Sequence, residues 1–199
     1  MDVLQRLQPL DILFAVLWAG ANLLAASLAL AGSLIYVFVY TMWLKRSTPQ
    51  NIVIGGAAGA VPPLVGWAAA TGRLDLTALA LFGVIFFWTP PHFWALAQMI
   101  KADYARAHVP MLPVVAGEQS AKRQSMVYAV LTAAVSVVPF FTGSAGPVYL
   151  AGAIVLGIGL VGISILDLEG RRWTRRLWTY SMVYVALLFA VFAVSPFIP

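Results

Sequence analysis

Residues 76–99 read LTALALFGVIFFWTPPHFWALAQM, 24 residues without one charged side chain. As a helix at 1.5 Å per residue, such a run is about 36 Å long and crosses the ~30 Å hydrocarbon layer of a bilayer. The whole chain has the same character. Of its 199 residues 62% are hydrophobic and 10% charged, with a mean hydropathy of +0.91, against roughly 45–50% and about 25% in soluble domains. In hydrocarbon every peptide group needs an internal hydrogen-bond partner. The expected fold class is therefore all-α, a polytopic transmembrane helix bundle.

Full spans are expected at about 23–43, 52–70, 76–99, 126–142, 147–166 and 177–195, in a single domain covering residues 1–199. The first apolar stretch is odd. Residues 12–44 are 33 uncharged residues, too long for one span and too short for two. A turn near Gly20 to Asn22 divides them into a full span and a stub at 12–21 that crosses only half the bilayer. Half a span suggests the C-terminal part of a longer membrane protein or a misassigned initiator; the alternative is a re-entrant or interfacial entry helix.

Ten of the 12 Lys and Arg fall on one side of the six spans: Lys45, Arg46, Lys101, Arg106, Lys122, Arg123, Arg171, Arg172, Arg175 and Arg176. Arg73 stands alone on the other side. By the positive-inside rule the basic side is cytoplasmic and the C-terminus, Pro199, lies outside. The expected location is the inner (cytoplasmic) membrane. Arg6 also falls inside if the stub ends a seventh helix. This distribution explains the net charge of +5 without nucleic acid as a partner. Asp2 and Asp11 lead straight into an apolar run, unlike a cleavable signal peptide. The absence of Cys excludes disulfides, thiolate metal sites and cysteine nucleophiles.

Two spans carry proline pairs at depth, Pro62-Pro63 and Pro90-Pro91. Each pair deletes intrahelical hydrogen bonds and is expected to kink its helix. Backbone freed there is tolerated where it faces protein or a cavity, so a cavity is expected between the two helices. Gly55 and Gly59 have the small-xxx-small spacing of close helix packing.

Candidate chemistry clusters at the basic ends. The loop from Lys101 through Asp103, Tyr104, Arg106 and His108 to Pro113 mixes a carboxylate, cations and prolines, which suits a polyanion held through Mg²⁺. An ordinary positive-inside loop is the alternative. Thr48 caps a helix with Pro49 at its first position, and Lys45 and Arg46 beside that end form an anion site or merely stop-transfer charges. Arg171, Arg172, Arg175 and Arg176 around Trp173 suit anionic headgroups. His92 lies about 13 Å inside the hydrocarbon from Lys101. It is a packed core group, a proton carrier or a metal ligand. If its helix persists, His92, Leu96, Met99 and Asp103 share one face.

Tyr40 to Arg46, Thr48, Asn51 to Gly56, Gly59 to Trp67, Pro91-His92-Phe93, Asp103-Tyr104 and Val109 to Val115 resemble the haem O synthase (protoheme IX farnesyltransferase) family. That family belongs to the UbiA superfamily of intramembrane prenyltransferases. The resemblance covers about residues 23–199 and implies a nine-helix bundle, of which this chain matches the last six and the end of the third. It implies farnesyl transfer from farnesyl diphosphate to a vinyl group of haem b, with Mg²⁺ as cofactor. It also implies a bilayer setting and association with a terminal oxidase or haem A synthase. Asp103 then corresponds to the second acidic motif and binds the metal, with Lys45 and Arg46 as the basic pair holding diphosphate. Tyr40, Asn51, Lys101, Tyr104 and Arg106 are further substrate-binding candidates, and His92 orients the porphyrin or ligates its iron. The sequence departs from the pattern in three ways. The first acidic motif has no counterpart, Ala102 stands where many relatives have a second acid, and His108 stands where Gly is frequent. The expectation is that this polypeptide by itself lacks part of the site. The alternatives are a UbiA-type enzyme for another aromatic or quinone acceptor, and a non-catalytic membrane remnant.

Overall fold

The computed structural model describes residues 3–197, with side chains from Leu10 onward apart from Arg171 and Pro196. The expectations for Asp2, for the Arg6 and Arg171 side chains and for Pro199 lie outside the described residues. Among those residues every regular element is helical.

The chain opens with α1 (Val3–Gly20), turns at Ala21 and enters α2 (Leu23–Leu34). Asn22 makes the turn: its Oδ1 accepts from the Ala25 amide at 2.9 Å and its Nδ2 donates to the Ala68 carbonyl at 2.7 Å. The segment before the turn is an 18-residue helix rather than the expected stub. Arg6 and Asp11 mark a polar beginning but do not stop it, because both residue types are tolerated within a helix. From α2 the backbone widens into a π-helix over Ile35–Leu44 and closes with α3 (Lys45–Ser47). The Thr41 hydroxyl follows the wide turn, donating to the Tyr36 carbonyl five residues back at 2.9 Å.

The next span is broken into α4 (Asn51–Gly59) and α5 (Val61–Thr71). Pro62 and Pro63 have no N–H for the carbonyls of Ala58 and Gly59 one turn earlier, so α4 stops and a new helix starts with proline in its first turn. Gly72 ends α5 in the left-handed region at φ +72°. Asp75 caps α6 (Leu76–Met99), accepting from the Ala78 amide at 3.1 Å. Pro90 and Pro91 do not interrupt α6. The helix stays continuous because it lies in the middle of the bundle, packed on α4, α5 and two later helices, and both prolines are fully buried. Short α7 (Lys101–Arg106) and α8 (Leu112–Val115) form the connection to α9 (Glu118–Ser136). One turn, α10 (Val138–Phe141), leads to the antiparallel pair α11 (Pro147–Asp167) and α12 (Arg171–Val194). Helices α9 and α12 are the remaining neighbours of α6.

Among the described residues six helices are long and apolar enough to cross a membrane: Leu23–Ser47, Asn51–Thr71, Leu76–Met99, Glu118–Phe141, Pro147–Asp167 and Arg172–Val194. Their outer faces are greasy, with Val155 and Ile158 each 68% exposed. Lipid, not water, solvates such a surface.

Several polar groups inside the bundle are paired. Between α9, α11 and α12 the Ser136 and Tyr184 hydroxyls bond at 2.5 Å, and the Tyr149 hydroxyl donates to the Ser136 carbonyl at 2.8 Å. At the end away from the basic loops, Thr77 bonds Thr142 and Ser144 at 2.8 and 2.7 Å. At the basic end, Lys122 donates to the Asp167 carbonyl at 2.7 Å and stands 3.5 Å from its carboxylate, to which the Thr174 hydroxyl donates at 2.5 Å. Both charged side chains are at most 5% exposed. This ion pair ties α9 to the α11–α12 connection. Removing one partner leaves a bare buried charge, which costs far more than losing both. Lys122→Met is expected to destabilise the bundle by about 3–5 kcal/mol. Lys122→Met combined with Asp167→Leu should recover most of that loss in thermal unfolding in detergent micelles.

Candidate active site

Between α4, α6 and the π-helix lies a cavity of about 320 Å³. Tyr36 and Tyr40 close one wall; Ile52, Gly55, Gly56 and Gly59 form a second; Ile85, Trp88, Thr89 and Phe93 form the third. On α4 and α6 these positions recur at intervals of three and four, which is why each set shares one face. The cavity lies where the two proline pairs place it, although only the α4–α5 segment is broken.

Glycine brings the walls together. A Cβ on Gly55 would sit 2.1 Å from Cδ2 of Tyr40, and one on Gly56 would sit 3.2 Å from Cγ2 of Thr89. Gly55 is thus a packing glycine, as its spacing suggests, whereas a Cβ on Gly59 meets nothing within 4 Å and that residue faces open space. The polar groups of the α6 wall are already used. Trp88 donates its indole N–H to the Ser181 carbonyl at 2.6 Å, and Thr89 turns its hydroxyl back to the Ile85 carbonyl at 2.7 Å. What remains toward the hollow is an aromatic and aliphatic surface fit for hydrocarbon.

His92 belongs to the far side of that wall. It is 9% exposed, its Nδ1 pairs with the Ser181 hydroxyl at 2.8 Å, and its ring stacks on Trp88 at 4.4 Å. Ser181 in turn donates to the Trp178 carbonyl at 2.7 Å. Of the three readings, this geometry describes a packed, hydrogen-bonded group that holds Trp88 in place; His92 is not part of the cavity lining.

The shared face from His92 to Asp103 does not form. Helix α6 stops at Met99, and Ile100, at φ −113° and ψ 33°, breaks it before α7. Asp103 is exposed and ion-paired with Arg106 in the same turn, while Lys101 stands 3.8 Å from Glu118. Lys45 and Arg46 are exposed on the turn after the π-helix. Asn51 is buried, donating to the Lys45 carbonyl at 3.3 Å, and its Oδ1 has no hydrogen-bond partner. Helix α4 starts at Asn51 rather than at Pro49, with the Thr48 hydroxyl accepting from the Gln50 amide at 3.2 Å. Neither Lys45, Arg46 nor Asp103 lines the cavity. The link between loop and hollow is Tyr104. On α7, it packs against the cluster of Ile52, Trp94 and Met111, and Ile52 also lines the cavity. Burial pushes the Tyr104 phenol above its ordinary range, so it stays protonated at neutral pH.

As a magnesium site the donor set is small. Among the described residues no three His, Cys, Asp or Glu side chains gather at one point. Mg²⁺ commonly takes only one or two carboxylates and fills its octahedron with substrate phosphates and water. Asp103 fits that role as a single protein ligand to a metal carried by a diphosphate, and not as a site that holds the metal alone.

The resemblance singles out Tyr40, and Phe93 within Pro91-His92-Phe93, but the sequence reading passes over Tyr36, Trp88 and Thr89 as site residues. The legible signal is the face on α6, positions 85, 88, 89 and 93, running alongside a proline pair. His108 shows why Gly is natural at its position: its backbone sits at φ +53°, a region that costs a non-glycine residue about 1–2 kcal/mol.

The profile of the UbiA prenyltransferase family matches residues 10–172. A protoheme IX farnesyltransferase of Thermus thermophilus is 57% identical over 184 residues, covering 92% of this chain and 30% of that protein. Proteins of the same name from Gloeobacter violaceus and Granulibacter bethesdensis are 52% and 45% identical, each over 92% of this chain and 61% of their own length. The chain thus spans between 30% and 61% of these relatives. No solved structure matches it.

Two substitutions check the local geometry. Gly55→Ala drives a methyl into the Tyr40 ring and should cost about 1–3 kcal/mol, a loss that Tyr40→Ala in the same chain relieves; thermal unfolding of the single and double variants measures it. His108→Gly should raise stability by about 1 kcal/mol by releasing the left-handed backbone, seen as a higher midpoint in the same assay.

Proposed function

Because the chain belongs to the UbiA prenyltransferase family, we propose that it takes part in farnesyl transfer from farnesyl diphosphate to a vinyl group of haem b, giving haem O. The observation carrying this reading is the hollow of about 320 Å³ between α4 and α6, walled by Tyr36, Tyr40, Trp88 and Phe93, with Tyr104 of the Asp103–Tyr104 loop packed on the cluster that includes Ile52 of its wall. The names of the relatives, at 45–57% identity, supply the acceptor.

In this reaction the C1–O bond of the allylic diphosphate breaks and its electron pair leaves with the diphosphate. The vinyl π-electrons of the haem then bond to C1. Water captures the cation left on the side chain and a proton is lost, which gives the hydroxyethylfarnesyl group. Ionisation is the hard step, and it is eased by positive charge around the leaving group rather than by a nucleophile. Asp103 would hold a Mg²⁺ carried in by the diphosphate, and that ion would, when bound, supply part of the positive charge. Lys45 and Arg46, joined to buried Asn51 through the Lys45 carbonyl, and Lys101, held near Glu118, supply the rest from the two loops. Arg106 pairs with Asp103 within the same turn. Tyr104 and Tyr40 present phenols where loop and hollow meet. The aromatic walls keep water from the carbocation until the new bond has formed. His92 acts behind the wall by fixing Trp88.

In this reading residues 1–199 form one UbiA-type unit, and the basic end faces the cytoplasm of the inner membrane by the positive-inside rule. A terminal oxidase or haem A synthase is the consumer of the product.

The test is mass-spectrometric detection of farnesylated haem from membranes containing the chain, farnesyl diphosphate, haem b and Mg²⁺. Binding of farnesyl diphosphate is followed in parallel by tryptophan fluorescence. Asp103→Asn and Lys45→Ala are each expected to lower turnover by about 10²-fold or more, with smaller effects on thermal unfolding. Prenylation of an aromatic acid but not of haem would replace the acceptor. Failure to bind farnesyl diphosphate in the presence of Mg²⁺ would overturn the reading altogether.

A further inference from the structure

A second hollow, of about 680 Å³, lies between α1, α2 with its π-helical extension, and α5. Its lining includes Leu13, Leu17, Val37, Pro62 and Val65, and the hydroxyl of Ser33 there is turned back to the Ala29 carbonyl at 2.9 Å. It therefore offers hydrocarbon surface and nothing that would hold a diphosphate. Two residues, Tyr36 and Gly59, line both this hollow and the aromatic cavity. Two local features mark the border where a passage between them would lie. Gly59 carries no side chain, and a Cβ there would meet no heavy atom within 4 Å. Its neighbour on the other wall, Tyr36, sits in the π-helix against Tyr40, with ring centroids 5.6 Å apart. Pro62, just after the break that ends α4, lines the larger hollow.

Size decides what uses the passage. Ligand sites commonly measure about 300–1,000 Å³, so the aromatic cavity at about 320 Å³ is at the lower limit. It accommodates the reacting end of an isoprenoid but not that end together with a long tail and an acceptor. We propose that Tyr36 and Gly59 form a gate through which the distal isoprene units pass into the second hollow, and that this gate sets the chain length the site accepts. The inference rests on the prenyl-transfer reading of the same cavity.

The experiment compares geranyl, farnesyl and geranylgeranyl diphosphates on the native chain and on Gly59→Ala, Gly59→Leu and Tyr36→Ala, by tryptophan fluorescence titration in detergent and, where haem is turned over, by product mass. Gly59→Leu should weaken farnesyl diphosphate relative to geranyl diphosphate by at least about tenfold, since a blocked isoprene unit forfeits several buried methylenes. Gly59→Ala should fall between it and the native chain, with an unchanged thermal midpoint. Tyr36→Ala, which opens the same passage from the other wall, should raise geranylgeranyl relative to farnesyl diphosphate and decides the matter if Gly59→Leu does not fold. Equal effects on all three chain lengths in the folded variants would overturn the gate while leaving prenyl binding in place. If the native chain binds none of the three diphosphates, the prenyl-transfer reading fails and the gate with it.

Discussion

Inside a bilayer a peptide carbonyl without a partner must look at protein or at a hollow, and this constraint organises the molecule. Pro62 and Pro63 deny partners to Ala58 and Gly59, and both of those residues line the larger hollow. The break and the glycine thus sit together at the border of the two hollows. The second proline pair shows the other outcome. Enclosed by α9 and α12, α6 keeps its course and its side chains form the firm wall against which the bent segment is measured.

Charge and hydrocarbon are kept apart along the molecule. The hollows are lined by aliphatic and aromatic groups, and the ionisable residues collect at one end, where Lys101 meets Glu118, Arg106 meets Asp103 and the buried Lys122–Asp167 pair joins three helices. At the opposite end the buried polar contacts are between the neutral hydroxyls of Thr77, Thr142 and Ser144, and the one ion pair described there, Arg73 with Asp75, lies at the surface. Such a gradient suits a substrate with an ionic head and an oily tail, since each part finds its own medium without a buried unpaired charge.

The fold was legible because lipid leaves few choices: uncharged runs of span length become helices, and the turn near Asn22 is plain in the residues themselves. The site was legible only in its chemistry. Lys45, Arg46, Asp103 and Tyr104 stand out as residue types, but where they point depends on departures from α geometry that no periodicity reveals. Ile100 ends α6 one residue before Lys101 and turns Asp103 off the face of His92. His92 stood out because an imidazole in hydrocarbon is costly, and its readings ran from packed core group to metal ligand. Its cost is met by Ser181, on a helix 89 residues away in sequence, and such a partner is invisible in a linear reading. Trp88 and Thr89 were not singled out, since uncharged residues in an apolar helix attract no attention until a neighbouring wall recedes.

The wide helix over Ile35–Leu44 has its own consequence. Each π turn consumes about one residue more than an α turn, so every side chain beyond it is advanced by roughly 100° per turn relative to an ideal screw. Lys45 and Arg46 therefore owe their azimuth to the winding of ten residues that bear no charge themselves. Insertion or deletion of one residue in that stretch would re-phase the entire basic pair while leaving its composition untouched.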